Sequence, residues 1–197
     1  MYSPKITRNK KDEKEERMAV INEKKRIMNG YNSLGGEGYN QRYREEQDIK
    51  YDVIFSILKS KFDVIIFDNG CGTGMLLDRL FTPAVGLDLT SGLLGAARNK
   101  LKNYHFLVNG DSEYLPFRNK VFDSTISVTL IQNTPYPEKV LYEIKRVTKK
   151  SNISAITALK KAFTFDQFYQ LLKDAGLCSY YILEDVSSYD WFAIIKI

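Results

Sequence analysis

Histidine is almost missing from this 197-residue chain, with His105 the only one. That excludes histidine-rich metal centres and leaves little scope for a Ser–His or Cys–His nucleophile pair, so no metal site is expected. Cysteine is nearly as scarce. Cys71 and Cys178 do not make a disulfide framework, and a reducing, cytoplasmic setting is expected. No apolar stretch approaches the roughly 18–20 residues of a membrane helix, so no membrane partner is expected. The Lys-rich N-terminus lacks the apolar segment of a secretory signal. Also absent is the glycine spacing of a dinucleotide fingerprint, G-x-G-x-x-G, which disfavours a nicotinamide-dependent oxidoreductase.

What is present describes an ordinary globular chain, 44% hydrophobic and 27% charged, long enough for one domain with a proper core. The net charge of +5 is uneven, because residues 1–26 hold nine Lys and Arg against five Asp and Glu. A basic arm of this kind attracts an anionic partner such as RNA. The interleaved acids fit a solvated terminus equally well.

Residues 1–30 show no packing face and end in a turn signal, Asn29-Gly30, and residues 33–38 form a second loose stretch. From 39 to 60 the pattern is helical, with Tyr43, Ile49 or Lys50, Val53, Ile54, Ile57 and Leu58 on one face. Strands then alternate with helices. Strands are expected at 64–67, 84–87, 105–108, 124–129 and 153–157. Helices are expected at 75–81, at 91–101 capped by Ser91, and from Pro137 onward. Thr164 to Gln167 reads as a capping box for a helix ending at Ala175-Gly176. Runs 178–183 and 190–197 close the chain as a hairpin. This order predicts an α/β fold, a Rossmann-like doubly wound, seven-stranded, mostly parallel sheet with a C-terminal antiparallel hairpin. Residues 1–60 are expected as a basic arm and helical segment on the acceptor side, and 61–197 as the core.

The chemistry gathers at one turn. Residues 64–74 run from an apolar strand into Asp68-Asn69-Gly70-Cys71-Gly72-Thr73-Gly74, and Asp88 ends the next strand. Glycines let the backbone turn sharply and approach a ligand, and a carboxylate one strand–helix–strand later is placed for ribose hydroxyls. The Asp-x-Gly-x-Gly-x-Gly turn resembles motif I of the class I S-adenosylmethionine-dependent methyltransferases. The resemblance continues through Asp111-Ser-Glu-Tyr-Leu115-Pro116-Phe117, Phe122-Asp123 and the helix over 140–147.

The family resemblance implies S-adenosylmethionine as cofactor, leaving as S-adenosylhomocysteine. It implies Asp68 near the methionine amine, Gly70, Cys71, Gly72 and Gly74 under the methionine and ribose, and Asp88 with Leu89 at the ribose. Asp111 and Ser112 would lie at the adenine. Two departures stand out. Asn69 replaces an aliphatic residue and needs its own polar partner, and Lys149-Lys150-Ser151-Asn152 replaces a Pro-Gly-Gly turn.

The loop after strand 4 should face the methyl group. Its Gln132-Asn133 resembles the paired polar residues of the ubiquinone/menaquinone-biosynthesis group, and with Tyr43 these are the candidate catalytic residues. Its Asn-x-Pro-Tyr sequence starts too late after Asp123 to be the amino-methylating motif of nucleic-acid enzymes. Tyr39 and Tyr43 either line the acceptor pocket or pack their helix on the sheet. His105, Cys71 and Trp191 read as structural. Only residues 158–162 separate strand 5 from the next helix, so there is no inserted lid. That favours a macromolecular acceptor, RNA before protein, over a small molecule. An activator subunit, or a non-catalytic role as a cofactor-binding subunit, fits the same residues.

Overall fold

The computed structural model describes residues 9–58, 65–150, 153–183 and 188–197. Helix α1 (Lys10–Leu58) precedes an alternating series: β1 (Ile66–Asn69), α2 (Met75–Asp78), β2 (Ala84–Asp88), α3 (Ser91–Arg98) and β3 (His105–Asn109). Then come β4 (Ser124–Ser127), a 3₁₀ turn (Ile131–Asn133), α4 (Pro137–Val147), β5 (Ile153–Leu159) and α5 (Phe165–Asp174). β6 (Cys178–Leu183) and β7 (Asp190–Lys196) end the chain. The seven strands lie in the order β3-β2-β1-β4-β5-β7-β6. The first five are parallel, while β7 runs antiparallel to both β5 and β6. This is the expected sheet, and its order reverses beside β1, where such folds open a crevice at the strands' carboxyl ends.

Each face of the sheet is covered. On one, Tyr51 and Ile54 of α1 pack with Met75, Leu76 and Leu77 of α2 over β1 and β4. On the other, α4 and α5 bury Val140, Leu141, Ile144, Phe168 and Leu172 against β5 and β7. The periodicity of α4 and the reciprocal Thr164–Gln167 capping box are as expected. Ser91 is the first residue of α3 and not its cap. Thr90 holds the cap position without a side-chain cap bond, and its N–H donates to Asp88 Oδ1 at 2.8 Å. Trp191 is half-buried, its indole N–H donating to the Phe163 carbonyl at 2.8 Å.

The main departure is at the N-terminus. Residues expected as loose are helical from Lys10 onward, and the loop signal at 33–38 is reduced to one break at Gly35 (φ 64°, ψ 173°). Only glycine enters that conformation readily. The helix forms because it docks on α3 and the site; helices in proteins draw most of their stability from such packing. Gly36 lies so close to Ala96 of α3 that any side chain would overlap its methyl group, and a β-carbon at Gly92 would meet the Asn32 amide oxygen. On the inward face, Lys50 is fully buried and Ile49 is exposed, which resolves the alternative left open by periodicity. Position 64, the Ser151-Asn152 half of the departing turn and Ser187 of the hairpin lie outside the described residues.

Overpacking of this kind costs about 1–3 kcal/mol. Gly36→Val should therefore lower the urea-unfolding free energy by about that amount. Adding Ala96→Gly should recover part of the loss, although glycine is the poorer helix former. A Gly36→Val chain as stable as the parent would rule out the docking of α1 on α3.

Candidate active site

The site is built where β1 runs into its glycine turn. Gly70, Gly72 and Gly74 all take positive φ (87°, 53° and 74°), so the chain coils tightly across the strand end. The N–H groups of Gly70 and Cys71 both donate to the Leu87 carbonyl, at 2.8 and 3.0 Å, fastening the turn to β2. Gly72 N–H donates to Asp88 Oδ2 at 2.9 Å, and Thr90 N–H to Oδ1. Asp88 is thus fixed under the turn by two backbone donors. Asn109 Nδ2 adds bonds to the Asp88 and Leu89 carbonyls at 2.9 and 3.0 Å.

Two carboxylates share this place. Asp68 is buried at 4% exposure, and its Oδ2 has no hydrogen-bond partner. Burial first, then the charge of Asp88, pushes its carboxyl well above the ordinary range. Burial also raises Asp88, partly offset by the Thr90 and Gly72 N–H groups. A buried carboxylate without a partner is costly and calls for a cation. Cys71 is buried beside them, its thiol pushed up by burial, so it is a turn residue and no nucleophile. Asn69, the polar residue in an aliphatic position, has found a partner: Ser112 Oγ donates to its Oδ1 at 2.8 Å.

Asp111 stands at the far end of the crevice and is not free. Lys24 of α1 reaches Asp111 Oδ2 and Glu113 Oε2, both at 2.6 Å, and Glu113 N–H donates to Asp111 Oδ1 at 3.0 Å. Glu113 is buried, and its Oε1 accepts from Tyr136 N–H at 2.9 Å. Burial disfavours the Lys24 charge, but the two carboxylates outweigh it and hold the ammonium above its usual value.

Opposite the turn lies the loop after β4. Thr129 takes positive φ (57°), and the 3₁₀ turn follows. Gln132 Nε2 and Asn133 Nδ2 both donate to the Thr129 carbonyl, at 2.5 and 3.1 Å, and Asn133 Nδ2 also donates to the Tyr31 hydroxyl at 3.1 Å. Gln132 Oε1 is buried without a partner. From α1, the rings of Tyr31, Tyr39 and Tyr43 form a chain, with centroids 5.9 and 4.9 Å apart. Burial raises the Tyr31 and Tyr39 phenols, so both stay protonated near neutrality.

These parts enclose one cavity of about 620 Å³, within the usual range for a small-molecule site. Asp88, Leu89, Asp111 and Ser112 line one side, and Gln132 and Asn133 the other, with Gly70 at the turn. Ile27, Met28, Tyr31, Tyr39 and Tyr43 of α1 complete the lining. Of the expected site residues, Asp68, Cys71, Gly72 and Gly74 sit behind the lining in the turn and strand end. Tyr39 and Tyr43 both line the cavity, and Tyr39 also packs against the core beneath α1. Lys24, Tyr31 and Glu113 were not anticipated. The one available signal was the spacing of Lys24, Ile27 or Met28, and Tyr31 along a single helix face. His105 opens β3, buried with neither ring nitrogen bonded, and burial lowers its pKa. Among the described residues no cluster of three or more His, Cys, Asp or Glu could hold a metal, and no helix is long and apolar enough to cross a membrane.

Comparison with known proteins gives one consistent picture. Residues 67–156 match the family model described as "Methyltransferase domain". The chain is 30% identical to the ubiquinone/menaquinone biosynthesis C-methyltransferase UbiE of Wigglesworthia glossinidia brevipalpis, over 59% of this chain and 54% of that protein. A SAM-dependent methyltransferase from Aquifex aeolicus superposes with a TM-score of 0.67 at 18% identity, covering 75% of this chain and 89% of its own. A chain from the complex between the Haloferax volcanii Trm112 methyltransferase activator and a candidate methyltransferase gives 0.73 at 14% identity, covering 84% and 96%. At such identities the two structures share the fold. The chain spans about half the length of the curated relatives it matches.

A raised carboxyl pKa sets a sign for stability. Asp68 contributes stability below the ordinary carboxylate range and loses it as pH rises through its raised folded-state value. Asp68→Asn removes that loss. In thermal melts without ligand, the variant should gain on the parent between about pH 5 and about pH 8. A gap that is constant with pH would mean that Asp68 titrates normally.

Proposed function

We propose that the chain is a class I S-adenosylmethionine-dependent methyltransferase and that it transfers a methyl group from S-adenosylmethionine to a small acceptor. The observation that carries this reading is the buried, unpartnered Asp68 oxygen at the glycine turn, beside Asp88 locked beneath Gly72. These residues fit the donor. Asp68 would take the methionine amine, Asp88 and Leu89 the ribose, and Asp111 and Ser112 the adenine, with the backbone of residues 70–74 beneath them. Asp111 enters this role already holding Lys24. When bound, the donor supplies an electrophilic methyl group with a neutral thioether leaving group.

The chain's own contribution is placement. Holding an acceptor in line for transfer is worth about 7–11 kcal/mol, without a protein nucleophile. The Gln132–Asn133 loop and Tyr43 both line the cavity, where they could position an acceptor. The missing lid had pointed to RNA or protein. Helix α1 supports the other reading, because Tyr31, Tyr39 and Tyr43 line a cavity of about 620 Å³, within the range of small-molecule sites. The activator in the Haloferax complex supports, as a subsidiary proposal, an activator subunit for this chain too.

Binding to the native state alone raises stability by about 2.7 kcal/mol at a hundredfold excess of ligand over Kd. S-adenosylmethionine and S-adenosylhomocysteine should each produce such a shift and NAD none, and Asp88→Ala should abolish it. A shift with NAD alone would overturn the cofactor assignment.

The acceptor is found by incubating the chain with methyl-labelled S-adenosylmethionine and cell extract, then separating RNA, protein and small molecules. Label is expected in the small-molecule fraction. Label in RNA or protein would reverse the acceptor class, and none anywhere would point to a non-catalytic subunit or a missing activator.

A further inference from the structure

Lys50 sits in the middle of α1 with its side chain wholly out of water. Its ammonium is 3.0 Å from Asp190 Oδ1, at the start of β7, and 2.5 Å from Glu46 Oε1, one turn back on α1. It also donates to Thr129 Oγ1 at 2.8 Å. Thr129 Oγ1 and Thr157 Oγ1 both donate to Asp190 Oδ2, at 2.8 and 2.6 Å, and Thr129 N–H donates to Thr157 Oγ1 at 2.9 Å. One buried cation thus joins α1, the end of β4, β5 and β7.

The network leads directly to the cavity. Glu46 and Thr129 both line it. Among the described residues, Glu46 is the lining carboxylate outside the turn and the Asp111 loop. Thr129 is a β-branched residue at positive φ, a conformation that persists only where the surroundings impose it. Its carbonyl is the shared acceptor for Gln132 and Asn133. Whatever fixes Thr129 therefore fixes the orientation of both amides. Buried ion pairs are poor stabilisers compared with apolar residues of similar volume, and their best-attested use is to specify one arrangement among several.

We infer that Lys50 is the positioning residue of the acceptor side: from inside the protein it sets Glu46 directly and, through Thr129, Gln132 and Asn133. The inference rests on the reading above that this loop and α1 face the acceptor. It touches neither the glycine turn nor Asp88, so its effect is confined to one half of the site.

The test uses the full chain. Lys50→Met alone leaves Asp190 buried without its cation and is open to unfolding, so Lys50→Met/Asp190→Asn is made beside it, with both charges removed and one carbonyl kept for the threonine hydroxyls. Amide hydrogen exchange is followed over residues 129–135 and over the turn at 70–76, and S-adenosylmethionine affinity is measured by calorimetry. In the double variant, exchange at 129–135 should quicken about tenfold or more, with the turn and the affinity within about twofold of the parent. Transfer of label to the parent's acceptor fraction should fall about tenfold in kcat, with KM for S-adenosylmethionine unchanged. Parent-like protection at 129–135 would overturn the inference. So would faster exchange spread evenly over the chain together with a matching loss of affinity, since that is the mark of a merely structural residue. A parent chain that fails to bind S-adenosylmethionine would instead overturn the proposed function, leaving the exchange result readable on its own.

Discussion

The arrangement of this molecule depends on one ammonium group removed from water. Lys50 is fully buried, and the carboxylate of Asp190 that answers it is fully buried as well. A charge in that position is tolerated only with its partner, and removing one member of such a pair typically costs about 3–5 kcal/mol. The pair therefore ties α1 to β7, the strand inserted between β5 and β6. Since α1 lines the cavity along much of its length, the shape of the site follows from that tie. Arg79 adds a second fastening, pairing with Asp48 and Asp52 of α1, but Arg79 and Asp48 are only half-buried and Asp52 is exposed, and such surface pairs contribute roughly 0–1 kcal/mol.

The two ends of the crevice have opposite electrostatic designs. At the glycine turn, Asp68 and Asp88 lie close and desolvated, with no cationic side chain bonded to them among the described residues. At the other end, Asp111 and Glu113 already have their cation in Lys24. A positively charged ligand therefore gains most at the turn, where carboxyl groups held above their normal pKa are brought back towards ionisation by its charge. Orientation of a ligand charged at one end is thus written into the protein before any specific hydrogen bond forms.

Local rules made the sheet readable in advance. Short apolar runs alternating with capped helices gave all seven strands, and the glycine spacing with Asp88 gave the turn, because both depend on residues close together in sequence. The failures share the opposite cause. Residues 10–34 look like a solvated arm because their apolar stripe is narrow and set among charges; the helix exists through its contacts with α3 and the crevice. Ile49 and Lys50 are neighbours on a helix, and periodicity could not choose between them. The choice was made by Asp190, some 140 residues later. Lys24 and Glu113 were missed for the same reason, since the helical spacing of Lys24 marks a face and not the carboxylates, 89 residues on at Glu113, that this face meets.

Gly35 divides the roof into two arms with separate moorings. The first is held at Lys24, on the loop after β3, and the second at Lys50, on β7. Lys24 lies eleven residues before the break, a lever of about 16 Å at the helical rise. The first arm meets both ends of the crevice, through Lys24 at Asp111 and through the Tyr31 hydroxyl at Asn133, while the second is anchored beneath Thr129, so the roof spans the cavity as one rafter laid in two lengths.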